Sequence, residues 1–415
     1  MNPPIGTSLG TRINEDRRAL RDLMPALQSK TYFNYGGQGP LPSPSLEAIK
    51  ASWDKIQELG PFTNKVWPYI TEEVESTKKY LARICGVSTN RIALTENVTS
   101  GCVLPLWGLP LRKADRILIS DCEHPGIVAA CRELARRKQL EIDVLNVQQL
   151  RDGAEKQLST NELLLEQLES SLKPHTKLVV LSHILWNTGQ IMPIKDVSKR
   201  LSQHPRDPFL LVDAAQSFGQ LPIEEAANSS DIYAFTGHKW ACGPEGLGGV
   251  SVSTRVLEES NPTLIGWRAL QKEGSIYHYD PNPFYQDARR YEIATSCVPL
   301  LAGLRCSIDL LEKEVPIQAR LNKIKQLSLK LWEYLNEIQN IQTIIQGSPP
   351  SGLISFSLLD KTPAKSLVKA LGKEELWIRV LEDPTWLRAC IHITSTEEEI
   401  RALGNVIRTI IHKDS

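Results

Sequence analysis

The chain has 415 residues, enough for one large domain or a large one with a smaller companion. Its 41% hydrophobic and 23% charged residues are those of a soluble globular enzyme, and a formal net charge of zero leaves no electrostatic footprint for nucleic acid or an anionic membrane. No apolar run reaches membrane-spanning length, the first residues lack the apolar core of a secretory signal, and eight scattered cysteines without a Cys-x-x-Cys pair read as free thiols in a reducing cytosol, with no disulfide frame or zinc site. A cytoplasmic location is expected.

In chain order, Leu20, Leu23, Met24 and Leu27 fall on one face of a helix expected over about Asn14 to Leu27. The stretch from Tyr32 through Tyr35, Gly36, Gly37 and Gly39 to Pro42 is too rich in glycine and proline for a regular element. It is either a plain connection or an extended segment turning over a ligand. Helical spacing then runs from Ser43 to Cys85. Short apolar strands are expected at Arg91–Thr95, Arg116–Ser120 and Glu141–Val147, with helices after the first two. Lys177–His183 and Phe209–Asp213 are continuous apolar runs ending in polar residues, the pattern of strands buried on both faces by crossover helices. Ile232–Phe235 is another such run, and it delivers Thr236-Gly237-His238-Lys239 and a glycine-rich segment to Val250. Alternating strands and helices over this region predict a mostly parallel sheet in an α/β domain. Helical spacing returns from about Val298, with Ile317, Leu321, Ile324, Leu327, Leu331 and Leu335 on a repeating face. A turn at Gln346–Gly352 then leads into a half-buried strand at Leu353–Leu358. The expected division is a large domain over residues 31–300 and a small α+β domain over 301–415, with residues 1–30 joining the latter.

Ligands of open parallel sheets bind beyond the carboxyl ends of the strands, where Thr95, Thr99, His124, Asn187, Asp213, His238 and Lys239 would gather. That rim offers the four groups pyridoxal phosphate needs. Lys239, among apolar neighbours, would be a nucleophilic amine. Asp213 would pair with the pyridine nitrogen, although a strand-end aspartate can equally be a helix cap. Val98, Thr99, Ser100 and Gly101 open a helix whose amides could hold the phosphate, with Thr236 and His238 as further donors; an ordinary N-cap has the same appearance. His124, in Glu-His-Pro-Gly, is placed to stack on the ring.

Asp213-Ala-Ala-Gln216, followed 26 residues after the aspartate by Lys239, resembles the class V aminotransferase family of fold-type I pyridoxal phosphate (PLP) enzymes. That family includes cysteine desulfurases, selenocysteine lyases and isopenicillin N epimerase. Within it the chain most resembles the cyanobacterial cysteine/cystine C–S lyases, from Tyr32 to Ile400. The shared stretches are Tyr32–Pro42, Asp121–Gly126, Leu185–Gln190, Ala234–Trp240 and Gly266–Arg268. The resemblance implies a PLP Schiff base at Lys239, Asp213 on the ring nitrogen, and Gln216 with Asn187 at the ring hydroxyl. Relatives can carry that asparagine one position earlier, where this chain has Trp186. It also implies Val98, Thr99, Thr236 and His238 at the phosphate, and a homodimer in which Gly266, Trp267 and Arg268 complete the partner's pocket. Arg388 matches the arginine that clamps the substrate α-carboxylate, Arg379 a second substrate-facing arginine, and Tyr35, Gly36 and Gly37 would line the substrate site.

Desulfurases of this family carry a mobile-loop cysteine some tens of residues before the carboxylate arginine. This chain has no cysteine between Cys306 and Cys390. The expected activity is therefore a C–S lyase releasing pyruvate, ammonia and persulfide or sulfide from cystine or cysteine, in sulfur metabolism, with a separate sulfur acceptor. A desulfurase or aminotransferase on the same scaffold is the alternative, and a non-catalytic cofactor-binding scaffold a third.

Overall fold

The computed structural model describes residues 19–151, 159–272, 274, 280–359 and 363–413. A two-residue strand, β1 (Thr31–Tyr32), precedes helices α1 (Ser43–Leu59) and α2 (Val66–Cys85). The central sheet comprises β2 (Ile92–Thr95), β3 (Arg116–Ser120), β4 (Glu141–Leu145), β5 (Thr176–Ser182), β6 (Phe209–Asp213), β7 (Ile232–Thr236) and β8 (Gly248–Val252). Its spatial order is β2-β8-β7-β6-β5-β3-β4. Strands β3 to β7 run parallel, while β8 is antiparallel to both β7 and β2. Helices α3 (Val98–Gly108), α4 (Pro125–Lys138), α5 (Thr160–Ser171), α6 (Ile194–Leu201), α7 (Glu224–Ser229) and α8 (Thr254–Glu259) fall between or after its strands.

Every residue of β6 and β7 is buried. Val179, Leu181, Leu210, Val212, Tyr233 and Phe235 enter one apolar cluster, while Leu178, Val180, Leu211, Ile232 and Ala234 enter the other. The period of two thus places alternate residues on opposite faces, each covered by helices. Strand β8 was not resolved from the sequence, because Gly248 and Gly249 interrupt its apolar pattern.

The rest of the chain holds α9 (Pro299–Glu314) and α10 (Ile317–Asn336), then β9 (Ile341–Thr343), β10 (Leu353–Leu358), α11 (Ala364–Lys373), β11 (Leu376–Trp377), β12 (Arg379–Val380), β13 (Leu387–Cys390) and α12 (Glu397–Lys413). Pro316 divides the helical stretch read as continuous from Val298, since proline removes a helical donor and blocks the preceding turn. An antiparallel sheet ordered β12-β13-β10-β9 is covered by apolar residues of α10, α11 and α12. Strand β1 pairs in parallel with β11.

The helix expected over residues 14–27 is not what forms. Residues 14–18 lie outside the described part, and the remainder makes two 3-10 turns, Leu20–Leu23 and Pro25–Gln28. Pro25 stops any helix begun at Leu20. Tertiary bonds then set the path: Leu20 N–H donates to Glu314 at 2.9 Å, and Arg21 donates to Glu399 at 2.6 Å and to the Thr394 carbonyl at 2.8 Å.

Candidate active site

Parallel β3, β5, β6 and β7 end on one edge of the sheet at Ser120, Ser182, Asp213 and Thr236. Beyond that edge lies a cavity of about 990 Å³, bordered by Gly36, Glu123, His124, Asn187, Lys239 and Arg388. It brings together residues from five separate stretches of chain.

Lys239 sits in a turn braced from three sides. Gly39 N–H donates to the His238 carbonyl at 2.7 Å, and a Cβ at Gly39 would lie 2.2 Å from the Lys239 carbonyl oxygen, so only glycine fits there. Trp240, fully buried, donates its indole N–H to Gln216 Oε1 at 2.8 Å. His392 Nε2 lies 3.2 Å from the Trp240 carbonyl, and its ring stacks on Tyr35 at 4.3 Å. Burial pulls the Lys239 amine down to about 8; the nearby Arg388 and Arg379 charges act in the same direction, and Asp213 opposes them. The neutral amine is the nucleophile. The rate at which cofactor-free protein captures PLP should therefore rise about tenfold per pH unit below 8 and level off above it. Stopped-flow absorbance checks this; an inflection near the ordinary lysine value would show that Lys239 does not meet this environment.

Asp213 is buried at the end of β6, and its Oδ1 accepts from Ala215 N–H at 2.8 Å. Burial raises its pKa, while the Ala215 amide and the Lys239 and His124 charges restrain it. Asn187 is buried with its Oδ1 unpartnered, and it donates to the Cys122 thiol. Gln216 spends its amide elsewhere: Nε2 donates to the Gly36 carbonyl at 3.0 Å, and Oε1 receives Trp240. It ties the lysine turn to the glycine segment. His124 caps α4, accepting from Gly126 N–H at 3.2 Å, and its ring meets Trp186 edge-on at 6.2 Å. Burial, then the Lys239 charge, lowers its pKa.

Helix α3 packs against β7, and Asn97 caps it by accepting from Ser100 N–H at 2.9 Å. Asn97 also takes Gly101 N–H through its carbonyl, which leaves the first-turn amides of Val98 and Thr99 beyond the intrahelical ladder. Thr236 Oγ1 and His238 Nδ1 are 2.7 Å apart on the neighbouring turn.

Arg388 is 1% exposed. Its Nη1 donates to the Trp186 carbonyl at 2.6 Å, whereas Nε and Nη2 have no geometric hydrogen-bond partner, although the Cys390 sulfur is close enough to act on the guanidinium. Gly36 faces that group: a Cβ there would stand 2.8 Å from Nη2 and 2.9 Å from Cys390 Sγ. Arg379 borders the outer cavity and is exposed. Tyr35 does not reach the cavity with its side chain; it is 1% exposed, bonded to Thr394 Oγ1 at 2.6 Å and stacked on His392. Gly37 turns back onto Asn34, its N–H donating to the Asn34 carbonyl at 2.8 Å. Gly266 precedes a 3-10 turn, Trp267–Ala269, that holds Arg268 and lies outside this cavity, with Trp267 49% exposed.

The aminotransferase class-V profile matches residues 54–403. The chain belongs to the class-V aminotransferase family. Within this family it is 24% identical over 413 residues to a probable cysteine desulfurase of Methanothermobacter thermautotrophicus, covering 94% of this chain and 97% of that protein. It is 27% identical over 387 residues to isopenicillin N epimerase of Streptomyces clavuligerus, covering 90% and 93%. Among solved structures, the cystine C–S lyase C-DES in complex with its reaction product cysteine persulfide is 36% identical with a TM-score of 0.85, covering 93% of this chain and 99% of that one. A further C-DES structure, also 36% identical, carries glycine covalently linked to PLP.

As a class-V aminotransferase the chain is a PLP-dependent enzyme, and its residues fit that cofactor. The cavity lining supplies an amine of lowered basicity at Lys239 and an orphaned amide oxygen at Asn187; the buried Asp213 carboxyl lies within reach of the Lys239 and His124 charges, and the first-turn amides of Val98 and Thr99 stand outside the lining. Two contributors were missed from the sequence. Trp240 fixes Gln216, and Glu123, buried on the cavity wall, joins two strand ends. A carboxylate preceding the histidine was visible, but nothing in the sequence shows the serines it meets. Among the described residues no cluster of metal-ligating side chains occurs, and no helix is long and apolar enough to cross a membrane.

Proposed function

We propose that this family member is a carbon–sulfur lyase acting by β-elimination on L-cystine, and on L-cysteine. Thiol placement carries this reading. A desulfurase needs an accessible thiol to take sulfur from the substrate, yet no cysteine occurs between Cys306 and Cys390. The thiols beside the cavity, Cys122, Cys131 and Cys390, are buried. Burial raises Cys122 well above the ordinary thiol range and Cys131 to about 12. The exposed thiol, Cys297, is not among the residues lining the cavity, which supports sulfur leaving on the product. Water and cystine give pyruvate, ammonia and cysteine persulfide; cysteine gives sulfide in place of persulfide. The likeness to C-DES supports the same choice.

Each residue has a task. Arg388 receives the α-carboxylate on Nε and Nη2. His124 covers one side of the cofactor site, and Asp213 presents its carboxyl to the ring nitrogen. Val98, Thr99, Thr236 and His238 would hold the phosphate, with Asn187 at the ring hydroxyl. Lys239 takes the Cα proton as general base. When bound, PLP supplies an electron sink for the pair released at Cα. Arg379, exposed at the outer cavity, is placed for the distal carboxylate of cystine.

We also infer a homodimer. Leu264, Ile265 and Trp267 are 55%, 51% and 49% exposed, an apolar run beside Gly266 and Arg268 that supports a subunit contact delivering these residues to the partner's cavity. The persulfide product calls for a separate thiol acceptor.

Product analysis tests the reaction. Purified PLP-loaded protein supplied with cystine should yield pyruvate and ammonia in equal amounts, with persulfide detected by cyanolysis. Alanine as the carbon product would sink the lyase reading and point to a desulfurase, with Cys390 the first thiol to replace. A requirement for a keto acid would mark an aminotransferase.

A further inference from the structure

Glu123 is a buried carboxyl, 5% exposed, on the cavity wall, and the reaction above gives it no task. Its Oε1 accepts from Ser120 Oγ at 2.5 Å and from Ser182 N–H at 2.7 Å, and its Oε2 accepts from Ser182 Oγ at 2.7 Å. Ser120 closes β3 and Ser182 closes β5. Ser182 is the register partner of Asp213 on β6, and the next residue, His183, donates its N–H to the Asp213 carbonyl at 2.9 Å. On the other side, Glu123 immediately precedes His124, the cap of α4. A single carboxyl thus ties the turn carrying His124 to the strand pair carrying Asp213.

The chemistry of the tie is unusual. Among the described residues Glu123 has no ion pair. Burial lifts it to about 7 against the three serine bonds that lower it, with Asp213 adding to the rise. The other titratable groups acting with it are the Cys102, Cys122 and Cys131 thiols from α3, the β3–α4 turn and α4. Burying a carboxyl without a cation is costly. A glutamine in its place could still accept the Ser182 amide and the Ser120 hydroxyl on its oxygen, but its nitrogen only donates, so the Ser182 hydroxyl would have to turn round and accept.

We propose that Glu123 is a positioning residue of the active site: its carboxyl locks the His124 turn to the β5 and β6 ends and so fixes the spacing between the His124 ring and the Asp213 carboxyl. This rests on the Lys239 cavity being the PLP site, where a flat ring must fit between a covering side chain and an edge-on carboxylate.

The test compares wild-type protein with Glu123→Gln and Glu123→Ala, each loaded with PLP. The measurements are thermal unfolding, PLP retention in equilibrium dialysis, visible-region circular dichroism of the bound cofactor, and kcat and KM with cystine. Visible dichroism reports how the cofactor is held, which a merely structural role would leave alone. The alanine variant is expected to show an altered visible band, PLP retention weakened about tenfold and kcat reduced about 10–100-fold, in line with other supporting residues that hold a reactive group in place. KM should stay within about threefold, because Arg388 is untouched. The glutamine variant should fall between the two. Variants that are less stable but keep the wild-type visible band, PLP retention and kcat would overturn the proposal. If the alanine variant does not fold, the glutamine variant decides by the same criteria. Wild-type protein that takes up no PLP at Lys239 would overturn the site assignment itself, an outcome distinct from an unchanged spectrum.

Discussion

Replacing Lys239 with alanine is expected to lower cystine turnover by about 10³-fold or more, while the protein keeps its fold. The removed amine is both the anchor for PLP and the base at Cα, and a positioned general base alone contributes about 10²–10⁴-fold. Stability should not suffer. The largest influence on the Lys239 amine is the cost of burying its charge, which alanine removes; the attraction of Asp213 and the opposing repulsion of Arg388 and Arg379 are lost together. The braces of the turn do not use the side chain: Gly39 meets the His238 carbonyl, Trp240 meets Gln216, and His392 meets the Trp240 carbonyl. The variant should also lose the absorbance band of lysine-bound PLP. A small primary amine added to the assay should restore part of the turnover, since it replaces the base without repairing any fold defect. Lys239→Arg should not, because a guanidinium stays protonated. Turnover within tenfold of wild type in Lys239→Ala would remove this lysine from the chemistry.

How far the sequence exposes this arrangement depends on how local each constraint is. Strands β3, β6 and β7 were legible because burial on both faces leaves an uninterrupted apolar run ending at a polar rim residue. Lys239, Asp213, His124 and Asn187 were legible as polar residues at strand ends, and Arg388 through the family resemblance; His124, Asn187, Lys239 and Arg388 border one cavity, with Asp213 close to Lys239 and His124. Positions governed by distant partners were not legible. Tyr35 sits in a glycine-rich segment that invites a ligand-facing reading, yet Thr394 and His392, at the far end of the chain, draw its ring inward. Glu123 is one acid at a strand-end turn until Ser182 arrives 59 residues later. The N-terminal segment has helical spacing, but Pro25 and the contacts to Glu314 and Glu399 outweigh it. β8 was hidden by its two glycines, whose backbone pairs normally with β7 and β2.

Replacing Arg388 with methionine should separate function from stability. The guanidinium is fully enclosed, yet only Nη1 has a firm protein acceptor, the Trp186 carbonyl at 2.6 Å. A charge buried with the donors on Nε and Nη2 unpaired destabilises the protein, and an apolar side chain of similar length removes that cost. Against it stands the loss of one hydrogen bond to Trp186, worth about 1 kcal/mol. The melting temperature of Arg388→Met should therefore be unchanged or higher. Substrate recognition should collapse. Two charge-assisted hydrogen bonds to the α-carboxylate, at about 1.5–3 kcal/mol each, correspond to about 10²–10⁴ in kcat/KM. Arg388→Lys should not recover it, since an ammonium cannot reproduce the planar two-point contact and is held in a site shaped by Gly36 and Cys390 for a flat group. Differential scanning fluorimetry and steady-state kinetics on the same preparations check both halves. A sharp fall in melting temperature, or kcat/KM within about threefold of wild type, would mean that the two free nitrogens of Arg388 serve the fold and not the substrate.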